Sequence, residues 1–116
     1  MEDADYLFSL APHAPIYPVL ECVSHNYDGT YTAIFGYQNN NAESVNISAG
    51  NYNFTSPSSG NVPTTFNPGE NNYALQLRFN GGYAFWTIQG PDGVSRTALA
   101  SAASASCSGS GGGPSS

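Results

Sequence analysis

Tyr73-Ala74-Leu75-Gln76-Leu77-Arg78-Phe79, followed by Asn80-Gly81-Gly82 and then Tyr83-Ala84-Phe85-Trp86-Thr87-Ile88, is the stretch that decides the fold class. In its first part Tyr73, Leu75, Leu77 and Phe79 alternate with Ala74, Gln76 and Arg78. A period of two places the large apolar groups on one side of an extended chain, as in a half-buried β-strand. Asn80-Gly81-Gly82 then offers residues that accept positive φ, which a tight reversal needs. Beyond it Ala84, Trp86 and Ile88 again share a face. The segment therefore reads as strand, turn and strand.

The same pattern continues on both sides. Toward the C-terminus, Pro91-Asp92-Gly93 leads to a last strand over Val94 to Ser101. Toward the N-terminus, Asn67-Pro68-Gly69 closes a loop-rich stretch that carries Tyr52, Phe54 and Phe66. Before that, Val45 and Ile47 alternate with Asn46 and Ser48 after Asn39-Asn40-Asn41. Thr30 to Gln38 forms another strand, with Tyr31, Ala33, Phe35 and Tyr37 on one side. Asn26-Tyr27-Asp28-Gly29 makes the turn into it from a first strand at Val19 to Val23. No window carries a convincing helical period. The Ala/Ser run 98–106 includes helix-compatible alanines, but its serines and Thr97 weaken that reading. The expectation is an all-β chain: an immunoglobulin-like β-sandwich of about seven strands with an N-terminal extended arm. Its core is expected to hold Tyr31, Phe35, Leu75, Leu77, Phe79, Trp86 and Ile88.

Composition bounds the function. The chain has 116 residues, which is room for one domain. Only 9% of its residues are charged, against roughly 25% in ordinary soluble domains. The net charge is −6, lysine is absent, and the two arginines are Arg78 and Arg96. Nucleic-acid binding needs clustered cations to release counterions, so the charge argues against that class and disfavours anionic membrane surfaces for the same reason. No apolar run approaches the roughly 20 residues of a membrane span. The first residues are acidic (Glu2, Asp3, Asp5), and Tyr6 to Leu10 is too short for a secretory signal, so a processed or truncated chain is expected.

Cys22 and Cys107 stand at the two ends of the patterned body, and an even pair so placed reads as one disulfide formed in an oxidising compartment. Two free thiols are the alternative. The expected location is extracellular, at a cell surface or in a fibre. With no Cys/His cluster, no metal and no cofactor are expected.

Three regions are read: 1–18 an arm with a Pro-rich linker, 19–107 the sandwich, and 108–116 a flexible Gly/Ser tail. Cys22-Val23 followed by residues 26–33 (NYDGTYTA) and Phe35-Gly36-Tyr37 resembles a pattern of bacterial secreted and surface modules of uncharacterised function. Residues 63–69 (PTTFNPG) and Phe85-Trp86-Thr87 fit the same pattern, so the resemblance spans about residues 19–104. It implies a β-sandwich displayed outside the cell, often as one module among several, and no catalytic activity. The arm lies outside it.

In that arm Ala4, Tyr6, Phe8 and Leu10 alternate with Asp5, Leu7 and Ser9, giving an extended segment with one bulky apolar side. Residues 11–18 carry prolines three apart and read as a polyproline II spacer of about 25 Å. Such a donor strand leaves backbone groups and apolar area unsatisfied. Insertion into an open edge of another subunit would satisfy both. Donor and groove then lie at different places, and repetition builds a helical homopolymer of copies of the chain. Fold-back onto its own domain and terminal disorder are the competing readings.

Other motifs are weaker. Asn46-Ile47-Ser48 and Asn53-Phe54-Thr55 are N-glycosylation sequons, making Asn46 and Asn53 candidate glycan acceptors. Residues 26–30 lack the downstream acidic ligand of a calcium loop and read as a turn. His13 and His25 are the only imidazoles, and Glu21, Asp28, Glu43, Glu70 and Asp92 are scattered. No catalytic residues are assigned, and the chain is not expected to be an enzyme. Tyr17, Tyr27, Tyr37, Tyr52, Tyr73 and Tyr83 could form a sugar-stacking strip, so a monomeric adhesive or carbohydrate-binding module with a glycan partner is the runner-up.

Overall fold

A computed structural model describes residues 13–57 and 61–107. The donor-strand positions Ala4, Tyr6, Phe8 and Leu10 and the Gly/Ser tail 108–116 lie outside the described residues. The described chain is all-β, with no helix. Its strands are β1 (Ile16–His25), β2 (Tyr31–Asn39), β3 (Val45–Asn46), β4 (Asn53–Ser56), β5 (Thr65–Phe66), β6 (Gly69–Phe79), β7 (Tyr83–Gln89) and β8 (Ser95–Ser101). They form two antiparallel three-stranded sheets, ordered β1-β2-β6 and β4-β7-β8, and a short β3-β5 pair.

The period of two decides which side chains meet. Ala33, Phe35 and Tyr37 of β2 and Leu75, Leu77 and Phe79 of β6 are buried from one sheet. Ala84, Trp86 and Ile88 of β7 and Ala98 and Ala100 of β8 are buried from the other. These residues belong to one hydrophobic cluster, in which the Phe35 ring meets Trp86 edge-on and Phe66 stacks on Trp86. Two sheets sharing a core in this way are consistent with a β-sandwich. All seven expected core residues lie in or against this cluster, with Tyr31 only half-buried.

The first strand is longer than the sequence suggests. It starts at Ile16, which is fully buried, and Ile16, Tyr17 and Pro18 pair with Asn39, Gln38 and Tyr37. The expected boundary between linker and sandwich at 18/19 is therefore corrected. Residues 16–18 belong to the sheet and not to a polyproline spacer. Ala14 and Pro15 are also tied down: the Ala14 N–H donates to Asn41 Oδ1, Asn41 Nδ2 donates back to the Ala14 carbonyl, and the Asn40 N–H donates to the Pro15 carbonyl. Pro18 is tolerated because β1 ends its sheet, where a missing N–H costs no ladder bond on the open side.

Cys22 and Cys107 form a disulfide with their Cα atoms 4.8 Å apart. It fastens residues 105–107 against β1, where the Val23 N–H donates to the Ala105 carbonyl and the Cys107 N–H to the Val23 carbonyl.

One row of the β1-β2-β6 sheet is irregular on all three strands. The register of β1 against β2 slips at Glu21, and that of β2 against β6 slips at Gly36. Opposite Gly36, Tyr73 takes φ 57°, so it leaves the apolar side of β6 and is 71% exposed, which corrects its expected place beside Leu75. A Cβ on Gly36 would lie 2.6 Å from the Asn71 carbonyl oxygen and would collide with the Glu21 carboxylate. Glycine is thus what lets the bulged backbone of β6 approach. Gly36→Ala should lower unfolding free energy by about 1–3 kcal/mol, the usual range for overpacking, read by chemical denaturation.

Candidate functional site

Three surfaces gather side chains able to bind something: the β1–β2 turn, the free sheet edges, and the polar anchors at the opposite end. The turn is built as its sequence suggests. Gly29 has φ 92° and its N–H donates to the Asn26 carbonyl, while the Asn26 N–H donates to that of Thr30. The Thr30 hydroxyl donates to Asp28 Oδ1 and accepts from Asn26 Nδ2, and Arg78 Nε also donates to it. Arg78 pairs with Asp28, and Asn26 Nδ2 reaches the Thr32 hydroxyl as well. Hydrogen bonds from the Thr30 hydroxyl and N–H, then Arg78, hold the Asp28 carboxyl below its usual range. Asn26, Tyr27, Asp28, Thr32 and Arg78 line an open groove over which Tyr27 is fully exposed.

The six tyrosines of the expected stacking strip do not form one. Tyr37 is buried and its hydroxyl accepts from the Asn67 N–H, so it is structural. Strand direction sends Tyr27 and Tyr83 to the end holding the β1–β2 turn, and Tyr17 and Tyr52 to the other. Tyr17 lies 4.7 Å beneath the Arg96 guanidinium, which also pairs with Asp92 and holds that carboxyl below its usual range.

The two sequons separate. Asn46 is exposed, and its Oδ1 accepts from the Thr65 hydroxyl. Asn53 is 0% exposed. Its Nδ2 donates to the carbonyls of Ile47 and Pro63 and its Oδ1 accepts from Trp86 Nε1. An amide nitrogen so enclosed is closed to an oligosaccharide, so the Asn53 assignment is corrected. Asn39 and Asn41 are comparable: Asn39 Nδ2 donates to the Phe66 and Glu43 carbonyls, and its Oδ1 accepts from the Asn41 N–H and Nδ2. Their spacing before a loop gives the sequence reader only a turn signal.

The carboxylates stay apart in the fold. Glu21 is in β1, Asp28 in the first turn, Glu43 after β2, Glu70 near the start of β6 and Asp92 after β7. Among the described residues no three His, Cys, Asp or Glu side chains come together as a metal site. His25 packs edge-on against Tyr31.

Edges remain. Among the described strands β6 has a neighbour only in β2, and β4 and β8 each only in β7. The side of β1 away from β2 is partly occupied, because residues 105–107 run parallel to it. Comparison with family models, with curated proteins and with solved structures finds no match to this chain.

Proposed function

We propose that this chain is a structural subunit of an extracellular, pilus-like filament, in which the strand-patterned segment around Ala4, Tyr6, Phe8 and Leu10 adds to a neighbouring copy. The observation that carries the reading is the set of outer edges on β6, β4 and β8, each hydrogen-bonded on one side only among the described strands. A row of free N–H and C=O groups is a template for another strand. The β6 edge has eleven residues, interrupted by the bulge at Tyr73, against seven on β8 and four on β4. The donor segment departs next to Ala14, which Asn41 clamps at the end of β2. It therefore starts from a fixed point, and a donor and an acceptor at separate places give a head-to-tail contact that repeats. The strand orders β1-β2-β6 and β4-β7-β8 support an immunoglobulin-like sandwich as the repeating body. The disulfide supports an oxidising, extracellular setting.

The groove at the β1–β2 turn favours a second reading, a carbohydrate-binding surface module: Tyr27 offers a stacking plane beside fixed donors and acceptors. One experiment separates the two. Electron microscopy should show filaments of the full chain and none of a chain lacking residues 1–11. Filaments after the cut sink the strand-exchange reading. A glycan module keeps its binding after that cut and loses it in Tyr27→Ala.

A further inference from the structure

We propose that the outer face of the β4-β7-β8 sheet is a contact surface for the same face of a second copy of this chain, separate from any strand exchange. Register and alternation define that face. Phe85 pairs with Leu99, Thr87 with Thr97 and Gln89 with Ser95 across β7 and β8, while Phe54 pairs with Thr87 from β4. These residues alternate with Ala84, Trp86, Ile88, Ala98 and Ala100, which face the core. The outward side therefore carries Phe54, Phe85 and Leu99 together. The Phe54 and Phe85 rings meet edge-on at 6.2 Å, while Phe54 is still 40% and Leu99 55% exposed. Scattered single apolar residues are ordinary on a surface, but a contiguous group spanning all three strands of a sheet is not.

Two further observations identify the occupant. The first is charge. The chain carries −6 with only two cations, so two copies repel wherever carboxylates face each other. The strands β4, β7 and β8 contain no Asp or Glu. Their one cation, Arg96, is paired with Asp92. The other sheet carries Glu21 and Glu70 beside the Asp28–Arg78 pair at its turn. An acidic copy thus meets the least repulsion on the β4-β7-β8 face, whereas a basic partner would be drawn to the other sheet.

The second is that the polar groups of this face already satisfy one another. Thr87 and Thr97 share a hydroxyl–hydroxyl bond of 2.7 Å, and the Ser95 hydroxyl donates to Gln89 Oε1. Groups bonded within their own sheet lose little when water leaves, so the face can be buried without stranding a donor or acceptor. A neutral, internally bonded sheet face suits face-to-face packing onto another sheet at about 10 Å. A two-fold axis makes the contact isologous.

Sedimentation equilibrium on the full chain tests this. The Phe8→Asp background disables the proposed donor strand, so that any remaining association reports on the sheet face. In it a reversible dimer of the 12.1 kDa chain is expected. Adding Leu99→Asp should weaken that dimer at least about tenfold in Kd, since truncating central anchors dominates contact energies. Adding Gln76→Asp, exposed on the other sheet, should leave it unchanged. Circular dichroism and a free-thiol assay confirm folding, and Phe54→Ser serves as the second face variant. A mass that stays monomeric up to about 1 mM, or a dimer that withstands both Leu99→Asp and Phe54→Ser, overturns the proposal. If Phe8→Asp leaves filaments intact while Leu99→Asp alters their mass, the strand-exchange reading fails and the sheet-face contact stands.

Discussion

Reduction of the Cys22–Cys107 disulfide, or replacement of both cysteines by serine, is expected to remove most of the stability of this domain. The two residues are 85 apart in sequence, so the bond closes a loop almost as long as the folded body. In the chain-entropy account such a closure lowers the free energy of folding by about 4–5 kcal/mol. Small domains are stable by only about 5–15 kcal/mol in total, and a chain of this length buries a modest fraction of its surface. The bond also keeps residues 105–107 in parallel pairing with Val23, which is fully buried. Its loss therefore frees an edge of β1 as well as the unfolded chain. Thermal unfolding with and without reductant checks this. At about 4–8 °C per kcal/mol for a domain of this size, the midpoint should fall by more than about 15 °C. A drop of only a few degrees would mean that packing between the sheets suffices alone.

The outcome at the two cysteines illustrates which parts of the fold are legible in sequence. A pair at the ends of a patterned region has few ways to be satisfied, and Leu75-Leu77-Phe79 and Ala84-Trp86-Ile88 alternate so plainly that both sheets can be read from them. Asp28-Gly29 likewise marks its turn because few other residues accept φ 92°. The failures occur where local chemistry points one way and tertiary contacts decide. Pro15 and Pro18 favour a polyproline segment, yet Ile16 between them fills the core beside Gly90, whose missing side chain leaves room for it. Tyr73 fits an alternating pattern and is turned out of it by a bulge that Gly36 on the neighbouring strand permits. The apolar group on the outer face of the β4-β7-β8 sheet is not legible from sequence either. Phe54 and Leu99 lie 45 positions apart, and only the register of β7 against both β4 and β8 puts them on one surface.

The asparagines are the sharpest case, and they give the second large prediction. Asn53 reads as a sequon because Asn-x-Thr on a polar, loop-rich stretch carries no sign of burial. Three groups depend on its amide: the buried Trp86 indole N–H and the part-buried carbonyls of Ile47 and Pro63. Asn53→Leu keeps the branching of the side chain, adds bulk and strands all three. At roughly 1–3 kcal/mol for each unsatisfied group, partly relieved by movement, the expected loss is about 3–5 kcal/mol. Trp86, fully buried against Phe35 and Phe66, reports the change by fluorescence during denaturation. Asn53→Asp separates lost hydrogen bonds from lost packing. One carboxyl oxygen can still accept from Trp86, but the other would face two carbonyl oxygens, and burial raises its pKa above the unfolded value of about 3.9. A group with a raised folded pKa is tolerated when protonated, below the unfolded pKa, and destabilises as pH rises through the folded pKa. Asn53→Asp should therefore approach the native protein in stability near pH 4 and fall well below it at pH 7, whereas Asn53→Leu should show the same deficit at both. Equal deficits in the two variants across that range would mean that the amide is not what holds β4 to the core.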